Sequence, residues 1–138
     1  MVQRASTPSR SGVRPPRMGI LDKLFGAAPQ VLPTSVRDMK SFVREVEESP
    51  VPVIVDVWGP SCGPCKKLEP VLVDVATRYA GKVKVVEIST EAEPQLLAEL
   101  EVRATPTLII YKAGAELGRS AGYRPAGWFD EMIAAELS

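Results

Sequence analysis

A chain of 138 residues that is 45% hydrophobic has the length and apolar content for one domain around a compact core. Its formal charge of zero hides an asymmetry, because residues 1–17 carry Arg4, Arg10, Arg14 and Arg17 without an acid, leaving 13 basic against 17 acidic residues beyond them. An acidic remainder is a poor nucleic-acid binder, no apolar run approaches the roughly 20 residues of a membrane-spanning helix, and two cysteines without a histidine suit neither a disulfide-stapled secreted fold nor a structural zinc site.

Residues 1–17 are rich in Arg, Ser and Pro and offer little to a core, so disorder is expected there. Three origins stand open for them: a true extension, a stretch upstream of a real start at Met18, or a targeting segment. Pro8, Pro15 and Pro16 oppose the amphipathic helix of a transit peptide. No signal-peptide apolar core follows the arginines, which makes the cytoplasm the expected compartment. Ile20, Leu21, Leu24 and Phe25 have helical spacing ahead of Gly26. A single turn docked on the domain suits them better than the alternative, a weak membrane or partner contact, because one turn is too short for stable interfacial binding by itself. A basic, largely disordered extension is therefore expected over 1–33 and a folded domain over 34–138.

Ser35-x-x-Asp38 has the form of a capping box, and Val36, Met39, Val43 and Val46 repeat at helical steps, predicting a helix over about 35–48. Val51 to Val57 is a buried central strand by composition, interrupted only by Asp56. After the Cys62-Gly63-Pro64-Cys65 turn, Leu68, Val71, Leu72, Val75 and Tyr79 mark the apolar face of a helix that stops at Gly81. Pro70 lies inside it and lacks the N–H that would reach the Lys66 carbonyl, so a kink is expected. Val83 to Ile88 is the next strand, and Thr90-x-x-Glu93 with Pro94 begins a short helix that turns Leu96, Leu97 and Leu100 inward. Thr107 to Tyr111 and about 116–121 form a hairpin through Lys112-Ala113-Gly114. Pro125 opens a last helix whose apolar face is Phe129, Met132, Ile133 and Leu137. The order α-β-α-β-α-β-β-α is an α/β fold: parallel strands joined by crossover helices, closed by an antiparallel hairpin.

Strand, turn and helix place Cys62 at a helix start, where unpaired backbone N–H groups and the helix dipole favour a thiolate. Cys65 lies one turn further on, within disulfide reach. Two inert buried cysteines are the alternative, opposed by the tight exposed turn that Gly63-Pro64 implies. Asp56 interrupts a strand that should be fully buried, and an unpaired carboxylate there takes up a proton at higher pH than usual. A hydrogen-bonded or wet carboxylate at a strand end is the other possibility.

Val53-Ile54-Val55-Asp56-Val57-Trp58 ahead of Cys62-Gly63-Pro64-Cys65-Lys66, followed in order by Pro70, Thr105-Pro106-Thr107, Lys112-x-Gly114 and Gly122, resembles the thioredoxin family over roughly residues 34–137. The resemblance implies a thioredoxin fold, a central mixed sheet flanked by helices in a single domain. It also implies a thiol–disulfide oxidoreductase that reduces disulfides in client proteins. Cys62 would attack the client disulfide and Cys65 would resolve the mixed disulfide, leaving a Cys62–Cys65 bond. Asp56 would accept the Cys65 proton, through a water.

The same resemblance implies a cis Thr105–Pro106 bond opposite the cysteines, which frees the Thr105 backbone to pair with an extended client segment; a trans proline starting a strand is the plain alternative. Trp58, Gly63, Pro64, Pro106 and Gly122 would then form a shallow apolar rim suited to protein disulfides. No bound cofactor or metal is expected: a thioredoxin-reductase-like flavoprotein using NADPH would return electrons to a monomer that binds neither membrane nor nucleic acid.

Two positions depart from the family pattern. Ser61 stands where thioredoxins usually carry a second tryptophan, and Glu87 where many carry a lysine. Glu87 either lies beside Asp56 and raises its pKa further, or faces solvent near Lys84 or Lys112. These departures suit a thioredoxin-like protein dedicated to one client. A non-catalytic binding module is the rival from a different class.

Overall fold

Side-chain alternation along one strand organises the molecule. In β2 (Val53–Trp58), Val53, Val55 and Val57 join one apolar cluster, while Ile54 joins a second on the opposite face of the sheet. A strand with a core on each side needs apolar residues at both parities, which is why this stretch reads as a nearly continuous β-branched run.

This computed structural model describes residues 29–138. The expected disorder of 1–17 and the turn at Ile20–Phe25 lie outside them. The elements run β1 (Thr34–Ser35), α1 (Met39–Phe42, widening into a π turn over Val43–Glu47), β2, α2 (Gly63–Arg78), β3 (Lys84–Ser89), α3 (Pro94–Leu100), β4 (Thr107–Lys112), β5 (Ala115–Ala121) and α4 (Ala126–Met132, widening into a π turn over Ile133–Leu137). The sheet order is β1-β3-β2-β4-β5. β3 pairs in parallel with β1 and β2, whereas β4 is antiparallel to both β2 and β5. This is the expected mixed sheet flanked by helices.

On one face Phe42, Val46, Leu96 and Leu100 of α1 and α3 cover Val55, Val57, Val86 and Ile109. On the other, Leu68, Leu72 and Val75 of α2 with Phe129 and Ile133 of α4 cover Ile54, Val85, Leu108 and Ile110. α2 runs unbroken through Pro70. The β4–β5 turn places Ala113 and Gly114 at φ 53° and 81°, the paired left-handed geometry that matches hairpin twist.

Two helix starts differ from expectation. Ser35 lies in β1, opposite Glu87, and Val36 is buried in extended chain with its N–H bonded to the Glu87 carbonyl. The capping box sits three residues later: Asp38 accepts from the Ser41 N–H at 2.8 Å, and Ser41 Oγ accepts from the Asp38 N–H at 3.4 Å. Sheet pairing therefore outweighs the Ser35 helix signal. Likewise Thr90 caps nothing; α3 begins at Pro94, and Glu93 accepts from the Met39 N–H of α1 instead.

Candidate active site

β2, the central strand, ends at Trp58, and four residues later Cys62 occupies the N-cap of α2. Its extended backbone (φ −109°, ψ 109°) turns the chain into the helix, and its sulfur accepts the Cys65 N–H at 3.2 Å. Pro64 fits the first turn because its missing N–H would have no helical partner there. Cys62 and Cys65 are joined as a disulfide with Cα atoms 5.2 Å apart. Their environments differ: Cys65 is buried at 6% exposure, whereas Cys62 is partly open and Ser61, Gly63 and Pro64 beside it are exposed. A partner molecule reaches the first sulfur and not the second.

The loop before β4 lies alongside. Its Thr105–Pro106 peptide is cis, and the Pro106 carbonyl accepts the Gly122 N–H at 2.8 Å. Gly122 has φ 94°, a left-handed conformation that glycine adopts without strain. Thr107 Oγ1 donates to the Ala104 carbonyl at 2.6 Å and fastens the same loop. Gly59, which the sequence motifs did not single out, belongs to this arrangement. A Cβ there would lie 3.3 Å from Thr105 Oγ1, so a hydrogen side chain lets the two loops approach. Glycine immediately after a strand tryptophan was the available signal.

Asp56 faces the α2 side of the sheet, sharing parity with Ile54 and Trp58. It is 6% exposed, and its Oδ1 has no hydrogen-bond partner among the described residues. Burial pushes its carboxyl up to about 7, with the negative charges of Glu87 and Glu69 adding to the rise. Glu87 is its register neighbour in β3 and accepts a hydrogen bond from the Trp58 indole N–H. Of the two placements open to Glu87, the structure has the one near the aspartate. Lys84 cannot reach it: an odd number of residues away, it points to the other face and pairs with Glu45. Lys112 stands four positions beyond Leu108, the residue opposite Asp56, roughly 13 Å along the strand.

A cavity of about 380 Å³ joins these groups, lined by Asp56, Trp58, Cys65, Lys66, Glu69 and Glu87, with Leu32 and Pro33 also in its lining. It connects the buried carboxyl to the buried sulfur and has room for several waters at about 30 Å³ each. Among the described residues, no group of three His, Cys, Asp or Glu side chains is placed to hold a metal. The sequence-predicted residues thus fall into a cysteine turn, a cis-proline loop bonded to Gly122, and a buried acid behind Cys65.

A mixed sheet whose central strand leads to a cystine at a helix start, with a cis-proline and a buried aspartate close by, defines the thiol–disulfide oxidoreductases. The family model Thioredoxin matches residues 33–135. The chain is 42% identical over 97 residues to Thioredoxin 1 of Nostoc sp., covering 70% of this chain and 91% of that protein. It is 38% identical over 101 residues to the thioredoxin of Synechocystis sp., covering 73% and 89%. To the chloroplastic M-type thioredoxin of Chlamydomonas reinhardtii it is 34% identical over 145 aligned positions, covering 100% and 98%. The chain belongs to the thioredoxin family.

Proposed function

We propose that this protein reduces disulfides in client proteins, with Cys62 as nucleophile, Cys65 as resolving thiol and Asp56 as proton acceptor. The observation that carries this reading is the asymmetry of the pair: Cys62 is reachable at a helix N-cap, and Cys65 is buried beside a cavity it shares with Asp56. In the reduced protein the Cys62 thiolate attacks one client sulfur. A Cys62–client bond forms, the client S–S bond breaks, and the released client sulfur takes a proton from solvent. Cys65 then gives its proton to the Asp56 carboxylate through cavity water and attacks Cys62. The Cys62–Cys65 bond forms, the mixed disulfide breaks, and the second client sulfur leaves to be protonated. Two electrons have passed from the protein to its client.

A carboxyl with a pKa of about 7 suits this step, since near neutrality it both accepts and returns a proton. Trp58, Gly63, Pro64, Pro106 and Gly122 form the docking rim, and the Thr105 backbone pairs with the client segment. We assign the folded unit to 34–138, treat it as a monomer, and assign the return of electrons to an NADPH-dependent flavoprotein reductase. The cytoplasm is the compartment we favour, because reducing conditions keep the dithiol ready. Ser61 and the Trp58–Glu87 bond support a narrower reading as well, a client-restricted thioredoxin, since both alter the surface and charge beside the cystine.

Insulin with the reduced protein tests the chemistry. Cys65→Ser is expected to trap a mixed disulfide through Cys62, and Cys62→Ser is expected to trap none and to lose insulin reduction. A Cys62→Ser variant that still reduced insulin would remove the proposal. Slow insulin turnover beside fast turnover of one client selects the restricted form.

A further inference from the structure

We propose that Lys66, Lys67, Arg103 and Arg124 form a cationic surface that docks client proteins whose disulfides are bordered by aspartate and glutamate. This names the substrate class of the reductase reading and rests on it. Residues 29–138 contain twelve Lys and Arg against sixteen Asp and Glu, a formal charge of −4. Against that acidic whole, the positions flanking the cystine are basic.

Lys66 and Lys67 directly follow Cys65 and straddle the first turns of α2. Lys66 lines the cavity together with Trp58, and Lys67 Nζ lies 4.6 Å from the centroid of the Tyr123 ring. Tyr123 adjoins Gly122, which is bonded to the cis-proline loop. Next along the chain, the Arg124 guanidinium lies 5.4 Å over the Trp128 ring, and its Nε donates to Ser120 Oγ at 2.9 Å. Arg103 precedes Thr105 by two residues on the loop that carries the cis bond.

None of these four holds a carboxylate among the described residues, whereas Arg44, Arg78, Lys84 and Arg119 each do. Arg37, Lys40, Lys82 and Lys112 share that property with the four but not the placement next to the cystine turn and the cis-proline loop. Aromatic rings fix Lys67 and Arg124 in place without neutralising them, so their charge remains available to a partner. The nearby acids are otherwise placed: Asp130 is bound to Arg78 and Tyr79, and Glu69 lines the Asp56 cavity. Four unneutralised cations around a reactive sulfur attract local carboxylates, while the negative remainder of the domain repels a long polyanion such as RNA.

The test uses the reduced full chain and three cystine-bridged peptides whose disulfide is flanked by Glu, Ser or Lys. At low salt the Glu peptide is expected to be reduced about tenfold faster than the Lys peptide, the low end of electrostatic steering. That ratio should shrink toward one at 0.5 M salt as screening shortens the field. Lys67→Glu combined with Arg124→Glu is expected to invert it. Equal rates for the Glu and Lys peptides, or a ratio that neither salt nor the double variant moves, overturns the inference while the Ser peptide, still reduced, leaves the reductase reading standing. Failure to reduce any of the three overturns both. Competition by single-stranded RNA at least as strong as by an acidic peptide would assign the surface to phosphates and likewise overturn it.

Discussion

Asp56 and Glu87 share one face of two neighbouring strands, so the Glu87 charge adds to burial in raising the proton affinity of Asp56. Glu87→Gln removes that charge and keeps an oxygen for the Trp58 indole. The Asp56 carboxyl should then fall from about 7 toward its ordinary range, and the pH profile of Cys65 resolution, followed by decay of a preformed mixed disulfide, should shift to lower pH. An unmoved profile would place Glu87 outside the proton path. Asp56 itself was legible in the sequence, because a carboxylate inside an apolar run conflicts with burial wherever the run lies. Its pairing with Glu87 was not. That contact depends on the parallel register of β2 and β3, which are joined through α2, and no local pattern fixes it.

At the scale of elements, the β4–β5 hairpin shows how a short turn can be tied to a distant helix. Gly114 has φ 81°, and a Cβ there would lie 2.9 Å from the Glu47 carbonyl oxygen at the end of α1. Gly114→Ala meets both a left-handed backbone penalty and that contact. Its cost is expected to be about 2 kcal/mol or more, since the backbone term alone is about 1–2 kcal/mol, and a urea midpoint would measure it. The site is remote from the cysteines, so the thiol chemistry should survive in whatever fraction stays folded. Helix existence followed from apolar spacing, as Leu68, Leu72 and Val75 show. Helix starts did not, because Ser35 and Thr90 satisfy capping patterns equally well in extended or turning chain. The π turns that end α1 and α4 leave no sequence mark at all; they let Val46, Ile133 and Leu137 reach their clusters.

For the molecule as a whole, two cores on one sheet make the charge of Asp56 a matter of global stability. Its folded pKa, about 7, lies above the unfolded value near 3.9. Its contribution is therefore fully present below about pH 4 and is lost as pH rises through 7, the folded state binding the extra proton in between. Asp56→Asn abolishes this term. The variant should gain stability relative to the parent between pH 4 and 8, by on the order of a few kcal/mol at the alkaline end. Exposed acids such as Asp38 and Asp130, shifted downward by hydrogen bonds to Ser41 and Tyr79, act in the opposite direction. The difference between parent and variant cancels them. Denaturant titrations of both proteins at pH 5 and 8 check the sign. Crossover connections and the terminal hairpin made a mixed sheet readable from spacing, but not the antiparallel pairing of β4 with β2, where a parallel strand was expected; two-residue β1 was too short to announce itself.

The approach to β1 has a practical outcome. Val31 donates its N–H to Thr77 Oγ1 at 2.9 Å, and Leu32 and Pro33 then line part of the chamber that holds Asp56. Trimming the chain to begin at residue 34 would remove both of those residues and open the chamber further. The shortened protein would hydrate its acid, titrate it nearer an ordinary carboxylate, and so understate how the intact chain handles protons.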